Sequence, residues 1–89
     1  MKLYKVKMII RKKGNRGLVT THAKDEKLIL DNLNTAENVY NEYVETLKFN
    51  CNCMKKFYGY VAIYEPTITE DGTITDQPLN DEYIKKFDY

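Results

Sequence analysis

The sequence predicts an α+β protein in which one main helix covers one face of a small antiparallel sheet. Two segments, residues 2–13 and 56–65, alternate between apolar and polar side chains as half-buried strands do. A third segment, residues 34–49, repeats its apolar positions at helical spacing. The length of 89 residues allows one modest core, so we expect residues 1–89 to form a single domain.

The first strand is predicted from Lys2 to Lys13. One face carries Tyr4, Val6, Met8 and Ile10, and the other carries Leu3, Lys5, Lys7, Ile9 and Arg11. Residues 14–17 contain two glycines and predict a turn. The β-branched segment 18–23 then predicts the second strand of a hairpin. The charged run 24–27 is either a loop or a solvated continuation of that strand into residues 28–30.

The main helix is predicted from Asn34 to Phe49. Six apolar side chains share one helical face: Ala36, Val39, Tyr40, Tyr43, Val44 and Leu47. The side-chain oxygen of Asn34 is suited to cap the helix, and Glu37 stands where it completes a capping box. Residues 50–53 are expected to form the connector to the next strand.

The strand at 56–65 completes a ββαβ order, which places it antiparallel beside the first strand and predicts the strand order 2-1-3. The helix then covers the face with Tyr4, Val6, Met8 and Ile10. From the later strand we expect Phe57, Val61 and Ile63 to be buried, because they have no hydroxyl group that needs a hydrogen-bond partner.

The C-terminal third predicts a small hairpin and a short helix. Asp71-Gly72 lies between the alternating segments 67–70 and 73–76, which is a strong signal for a β-hairpin. Residues 80–87 predict a short closing helix, since Asn80 is a good cap, acidic residues follow it and two lysines stand in the last turn.

The net charge of +1 conceals two blocks of opposite sign. Residues 1–16 contain seven basic side chains and no acidic one, whereas residues 57–84 contain six acidic side chains and no basic one. Such asymmetry is typical of a surface that binds a partner. The alternative is that the two blocks lie close together in the fold and partly neutralise each other.

The sheet face away from the helix is the first candidate binding surface. It would carry Lys5, Lys7, Arg11, Tyr58, Tyr60 and Tyr64, with Ile9 among them. Such a face suits a protein partner, a second copy of the chain in a homodimer, or a single-stranded nucleic acid whose bases stack on the tyrosines. Tyrosine is also common at ordinary solvated strand positions.

The acidic block is the second candidate surface, with Glu70, Asp71 and Asp76 as its partner-binding residues. It is either a solvated hairpin or a mimic of a phosphate track that enters a basic groove of another protein.

Catalytic motifs are scarce. The chain has no serine and a single histidine, His22, so a Ser–His–Asp arrangement is excluded. Cys51 and Cys53 allow a metal-binding module or a metal-dependent enzyme as an alternative, but His22 and carboxylates would have to complete the ligand set. We therefore expect no enzyme activity and no cofactor.

No apolar run approaches the ~20 residues of a membrane-spanning helix, and the lysine-rich N-terminus lacks the apolar region of a signal peptide. We expect no membrane partner and a cytoplasmic location, where both cysteines stay reduced.

The chain resembles the small α+β proteins of phages and mobile elements in its short length, its many Lys, Asn, Tyr and Ile residues, and its β-hairpin–helix–β core. Many such proteins inhibit host defence systems, and anti-CRISPR proteins are among them. The resemblance implies a protein-binding inhibitor. We predict a non-enzymatic binding protein that occupies the surface of a partner macromolecule, with a protein as the main expected partner and a nucleic-acid-binding module as the alternative.

Overall fold

The computed structural model describes residues 2–53 and 56–89. The elements in chain order are β1 (Leu3–Lys13), β2 (Val19–Leu30), α1 (Leu33–Cys53), β3 (Phe57–Tyr64), β4 (Pro66–Ile68), β5 (Ile74–Pro78) and β6 (Lys85–Asp88). The main sheet is antiparallel with the order β2-β1-β3-β6, and β4 pairs with β5 in a separate hairpin. The predicted α+β class and the order 2-1-3 are confirmed, and β6 is added at the edge.

Strand β1 lies inside the sheet because it pairs with β2 on one side and with β3 on the other. The charged run 24–27 belongs to β2, so the second of the two predicted alternatives is correct: Lys24 stands opposite Ile9 and Lys27 opposite Val6. A shift in register between Ile10 and Arg11 marks a β-bulge near the turn that connects β1 and β2.

Helix α1 is longer than predicted at both ends. Asn32, not Asn34, caps it: the Oδ1 atom of Asn32 accepts a hydrogen bond from the backbone N–H of Thr35 at 3.0 Å. The predicted connector at 50–53 is the last turn of the helix. Cys51 follows Leu47 by one helical turn and is buried, so the apolar stripe continues beyond the predicted end.

The core lies between α1 and one sheet face, as predicted. It consists of Tyr4, Val6, Met8 and Ile10 from β1, Val61 and Ile63 from β3, and Ala36, Tyr43, Leu47 and Cys51 from α1. Phe57 is partly buried against this cluster, and so is Phe87 from β6. The alternation of β1 and β3 therefore predicted the correct buried face.

The short closing helix predicted over residues 80–87 is wrong. A 3-10 turn spans Leu79–Asp81, and Lys85–Asp88 is a strand in which Phe87 stands opposite Val61. Asn80 and Asp81 have φ values of 58° and 56°, and two successive residues in this left-handed region cannot begin a right-handed helix. The predicted β-hairpin around Asp71-Gly72 is present as β4 and β5.

Candidate binding surface

The sheet face opposite α1, here called the outer face, presents its side chains in rows, because directly paired residues of antiparallel strands point to the same side. The first row is Leu28, Lys5 and Tyr64; the second is Glu26, Lys7, Ala62 and Lys86; the third is Lys24, Ile9, Tyr60 and Asp88; the fourth contains Arg11 and Tyr58. The sequence-predicted basic and tyrosine residues therefore do share one face.

The first row of the outer face is covered. Lys5 is 7% exposed, and its ammonium contacts the Asp76 carboxylate of β5 and lies 2.9 Å from Oε2 of Glu26. Tyr64 is 2% exposed, and the ring of Tyr83 stands edge-on to it at 5.7 Å between centroids. The face that we predicted to be uncovered is closed at this end, because the hairpin of β4 and β5 places Asp76 over Lys5.

The covered end is an internal ion-pair site. Burial lowers the pKa of Lys5, but its hydrogen bonds to Asp76 and Glu26 more than offset this effect, so the pKa of Lys5 is raised. The ammonium of Lys5 in turn lowers the pKa of Asp76. Burial raises the pKa of Tyr64 to about 12, and its hydroxyl has no hydrogen-bond partner among the described residues. The acidic and basic blocks thus neutralise each other here.

In the remaining rows of the outer face Ile9, which we predicted to be uncovered, is buried, and so is Ala62. Five other side chains there are exposed or half-buried, and we call them the basic strip: Lys7, Arg11, Lys13, Tyr58 and Tyr60. Arg11 and Lys13 are exposed, and the other three are half-buried. Within residues 2–53 and 56–89, the three cations of the strip form no ion pair. The positive charge of Arg11 and Lys13 is therefore available to a partner, whereas Lys7 stands opposite Glu26 and also contributes to the lowered pKa of Asp76.

Two lysine side chains lie over the tyrosine rings of the basic strip. The Nζ atom of Lys13 is 5.7 Å from the centroid of the Tyr58 ring. The Nζ atom of Lys86, from β6, is 5.2 Å from the centroid of the Tyr60 ring and 3.7 Å from Oδ1 of Asp88. Each ring thus turns a face toward a cation, and the strip combines aromatic surface with positive charge.

Lys13 and Lys86 were not among the predicted site residues. Lys13 follows Arg11 by two residues on β1, so strand alternation alone was sufficient to place it on the same face. Lys86 lay in the predicted closing helix, so the sequence did not predict that it belongs to a strand of the sheet.

The acidic candidates do not form one cluster. Asp76 contacts Lys5 at the covered end, whereas Glu70 and Asp71 are exposed at the tip of the β4–β5 hairpin. The pKa of Asp71 is lowered because its carboxylate accepts hydrogen bonds from the Thr69 hydroxyl and the Thr73 backbone N–H. These bonds hold the turn, and of the three predicted acidic residues only Glu70 and Asp71 form no ion pair within the described residues.

The cysteines and the histidine lie apart from these surfaces. Cys51 is buried in the core, where burial raises the pKa of its thiol, and Cys53 is exposed. The ring of His22 stacks on Phe57 with 4.3 Å between centroids. In the described part of the chain, no three His, Cys, Asp or Glu side chains are grouped so as to hold a metal ion. The metal-binding alternative therefore has no supporting geometry in this part.

An apolar groove lies where the β4–β5 hairpin meets the ends of β1 and β2. It has a volume of about 350 Å³ and is lined mainly by Leu3, Leu30, Pro66, Ile68 and Leu79. Lys2 and Glu65 stand at its edge, with 4.0 Å between Nζ and Oε1.

Compared with known proteins, the chain matches no family model, no curated protein and no solved structure. Among the residues that the structure describes, no helix has the length and apolar character needed to cross a membrane. Inferences about function therefore depend on the chemistry of the surfaces described above.

Proposed function

We propose that the protein is a non-enzymatic binding protein that occupies a negatively charged surface of a partner macromolecule. The observation that carries this proposal is the basic strip, where Lys7, Arg11 and Lys13 form no ion pair among the described residues. Cations that form no ion pair and share one face attract an anionic partner and orient it during association.

The position of the strip favours binding as well. Its residues lie on β1 and β3, and β1 is hydrogen-bonded along both edges. A rigid sheet holds the backbone of the binding residues in place, so association has a smaller entropic cost than it would have on a mobile loop. The two tyrosines add large apolar contact area with few rotatable bonds.

The test is affinity capture from an extract of a bacterial host. The double variant Lys7→Gln/Arg11→Gln is compared with the wild type, and Lys27→Gln is the matched control, since Lys27 is exposed on β2 but pairs with Val6 on the helix side of the sheet. We expect wild type and control to retain the same partner and the double variant to lose it. Equal retention by all three proteins, or no specific retention, would refute the proposal.

The tip of the β4–β5 hairpin supports a second candidate function, insertion into a basic groove of a protein. Glu70 and Asp71 are exposed at the tip, and the cross-strand pair Ile68 and Ile74 behind them is 55% and 40% exposed. An acidic tip with apolar residues behind it suits a groove whose floor is positive and whose rim is apolar. An inhibitor of host defence, of the kind implied by the resemblance to small phage proteins, would act through this surface in the cytoplasm.

This second candidate has its own variant, Glu70→Gln/Asp71→Asn. It should abolish capture of a protein partner while leaving thermal stability within a few degrees of the wild type, because both side chains are exposed and the amide oxygen of Asn can still accept the hydrogen bonds that Asp71 accepts from Thr69 and Thr73. Capture that depends on Lys7 and Arg11 instead would exclude the hairpin tip. Native mass spectrometry of the wild type tests the remaining alternative, a homodimer, through a doubling of the mass.

A further inference from the structure

We infer that the anionic partner of the basic strip is a single-stranded nucleic acid, with two neighbouring bases stacked on Tyr58 and Tyr60. This inference rests on the proposed function of the strip and names the chemistry of its partner.

The spacing of the two tyrosines is the first observation. Tyr58 and Tyr60 are two residues apart on β3, so their side chains leave the same face of the sheet about 6.7 Å apart. Each ring face is approached by a lysine ammonium, at 5.7 Å for Lys13 and 5.2 Å for Lys86. A base would stack on the ring face that the lysine ammonium now approaches. The lysine side chain is long and flexible enough to move off the ring and contact a phosphate instead.

The arrangement of cations around the rings is the second observation. Arg11 stands directly opposite Tyr58 on β1, so its side chain leaves the same face of the sheet next to the first tyrosine. Lys7 and Lys86 flank Ala62 in the neighbouring row. Ala62 is small and fully buried, so the two longer side chains rise above it and can converge on one phosphate next to the Tyr60 ring, once Lys86 turns away from the exposed Asp88. Positive charge thus lies on both sides of the aromatic pair, as a bound strand requires.

The combination distinguishes a single strand from other polyanions. In a duplex the faces of the bases are stacked on each other, so Tyr58 and Tyr60 would have nothing to stack against. An acidic protein surface would satisfy the cations but offers no regular series of flat rings. The strip ends at the covered first row of the outer face, because the Lys5 ammonium there is already paired with Asp76 and Glu26. The site therefore accommodates only a few nucleotides.

Fluorescence anisotropy with labelled 12-nucleotide oligo(dT) and oligo(rU) tests this inference, with a 12-base-pair duplex and poly-glutamate as competitors. We expect single strands to bind and to be displaced by single strands more effectively than by either competitor. If the strip neutralises three phosphates, the slope of log affinity against log salt should be about −2, since each phosphate contributes about −0.7.

The variant Tyr58→Leu/Tyr60→Leu should weaken binding of the oligonucleotides by about 25-fold or more, because loss of one stacked base costs about fivefold or more. Tyr58→Phe/Tyr60→Phe should retain most of the affinity, since the rings remain. Tyr89→Leu is the matched control: Tyr89 is 48% exposed, and its hydroxyl contacts Asn52 of α1 on the other side of the sheet. Circular dichroism confirms that each variant is folded.

Two results overturn the inference while leaving the proposed function intact. One is capture from the extract that depends on Lys7 and Arg11 although no oligonucleotide binds at low salt. The other is oligonucleotide binding that is unaffected by Tyr58→Leu/Tyr60→Leu and equally displaced by poly-glutamate, which identifies an acidic protein surface as the partner. Failure of both oligonucleotide binding and capture that depends on the basic strip refutes both proposals.

Discussion

Replacing Asp76 by Asn should destabilise the protein by removing one of the two carboxylates that hold the Lys5 ammonium. The Lys5 side chain is only 8% exposed, so its charge relies on protein groups rather than on water. Glu26 remains 2.9 Å away after the substitution. The variant therefore weakens the ion-pair site without leaving a buried charge wholly unpaired.

The size of this loss of stability follows from the solvent exposure of the two carboxylates that contact Lys5. An exposed ion pair contributes about 0.2–1 kcal/mol, and breaking a fully buried pair costs about 3–5 kcal/mol. The Asp76 side chain is 53% exposed and that of Glu26 is 33% exposed, so solvent screens the site and the lower end applies. We expect a loss of about 1 kcal/mol in the free energy of unfolding, which lowers Tm by about 4–8 °C in a domain of this size.

The pH dependence has a definite sign. The pKa of Asp76 is lower in the folded than in the unfolded protein, so its contribution is complete above the unfolded value and disappears as the pH falls through the folded value. The pKa of Lys5 is raised, so its contribution is complete below its unfolded value and disappears as the pH rises through the folded value. The difference between wild type and Asp76→Asn should be constant from about pH 5 to 9 and shrink below about pH 4.

Thermal unfolding followed by circular dichroism at pH 7 and pH 2.5 measures this difference. In a Lys5→Met background, Asp76→Asn should have almost no effect, because the cation that it pairs with is gone. Asp88→Asn is the control, since Asp88 and Lys86 form a pair whose side chains are 70% and 38% exposed. An Asp76→Asn protein as stable as the wild type at pH 7, or an equal loss in the Lys5→Met background, would show that the ion pair does not stabilise the fold.

Three further substitutions test the packing by urea unfolding. Leu47→Ala should cost about 2–5 kcal/mol because Leu47 is fully buried in the core, and a smaller loss would mean that the helix does not pack as described. Tyr43→Phe should leave the free energy of unfolding unchanged or raise it by up to about 1 kcal/mol, since the buried hydroxyl makes no hydrogen bond of normal geometry within the described residues. Burial, together with the nearby Asp25 carboxylate, raises the pKa of Tyr43 to about 12, so the hydroxyl stays neutral at the pH of the measurement. A clear loss would reveal a hidden partner of that hydroxyl. Gly59→Ala should cost about 3 kcal/mol because its Cβ would overlap the carbonyl oxygen of Ile9, and full stability would show that β3 can move away from β1.

The buried face of the sheet was predictable because strand alternation is a local property. In β1 the pattern around Val6 and Ile10 has a strict period of two, and only one of its two faces is free of charge. The same pattern in β3, together with the hydroxyl groups of Tyr58 and Tyr60, placed the tyrosines away from the helix. The basic strip follows directly from these two strands.

The covered end of the outer face was not predictable from local patterns. Lys5 and Asp76 are 71 residues apart, and nothing near either residue signals their contact. Strand β6 was missed for a different reason. The apolar residues Tyr83, Ile84 and Phe87 fit one face of a short helix, and the left-handed conformation at Asn80 and Asp81 cannot be inferred from residues that also act as helix caps.

The hairpin of β4 and β5 has a consequence for the dynamics of the molecule. It contacts the sheet near its base through the buried Pro66 and through the Asp76 contact with Lys5. The hydrogen bond from the Leu79 N–H to the Glu65 carbonyl oxygen closes the base of the hairpin. Two-stranded hairpins have little stability of their own, so this segment should open locally without unfolding the core. Its amide hydrogens should exchange with solvent before those of β1, and each opening would expose Lys5 beside the basic strip with Glu26 as its remaining partner.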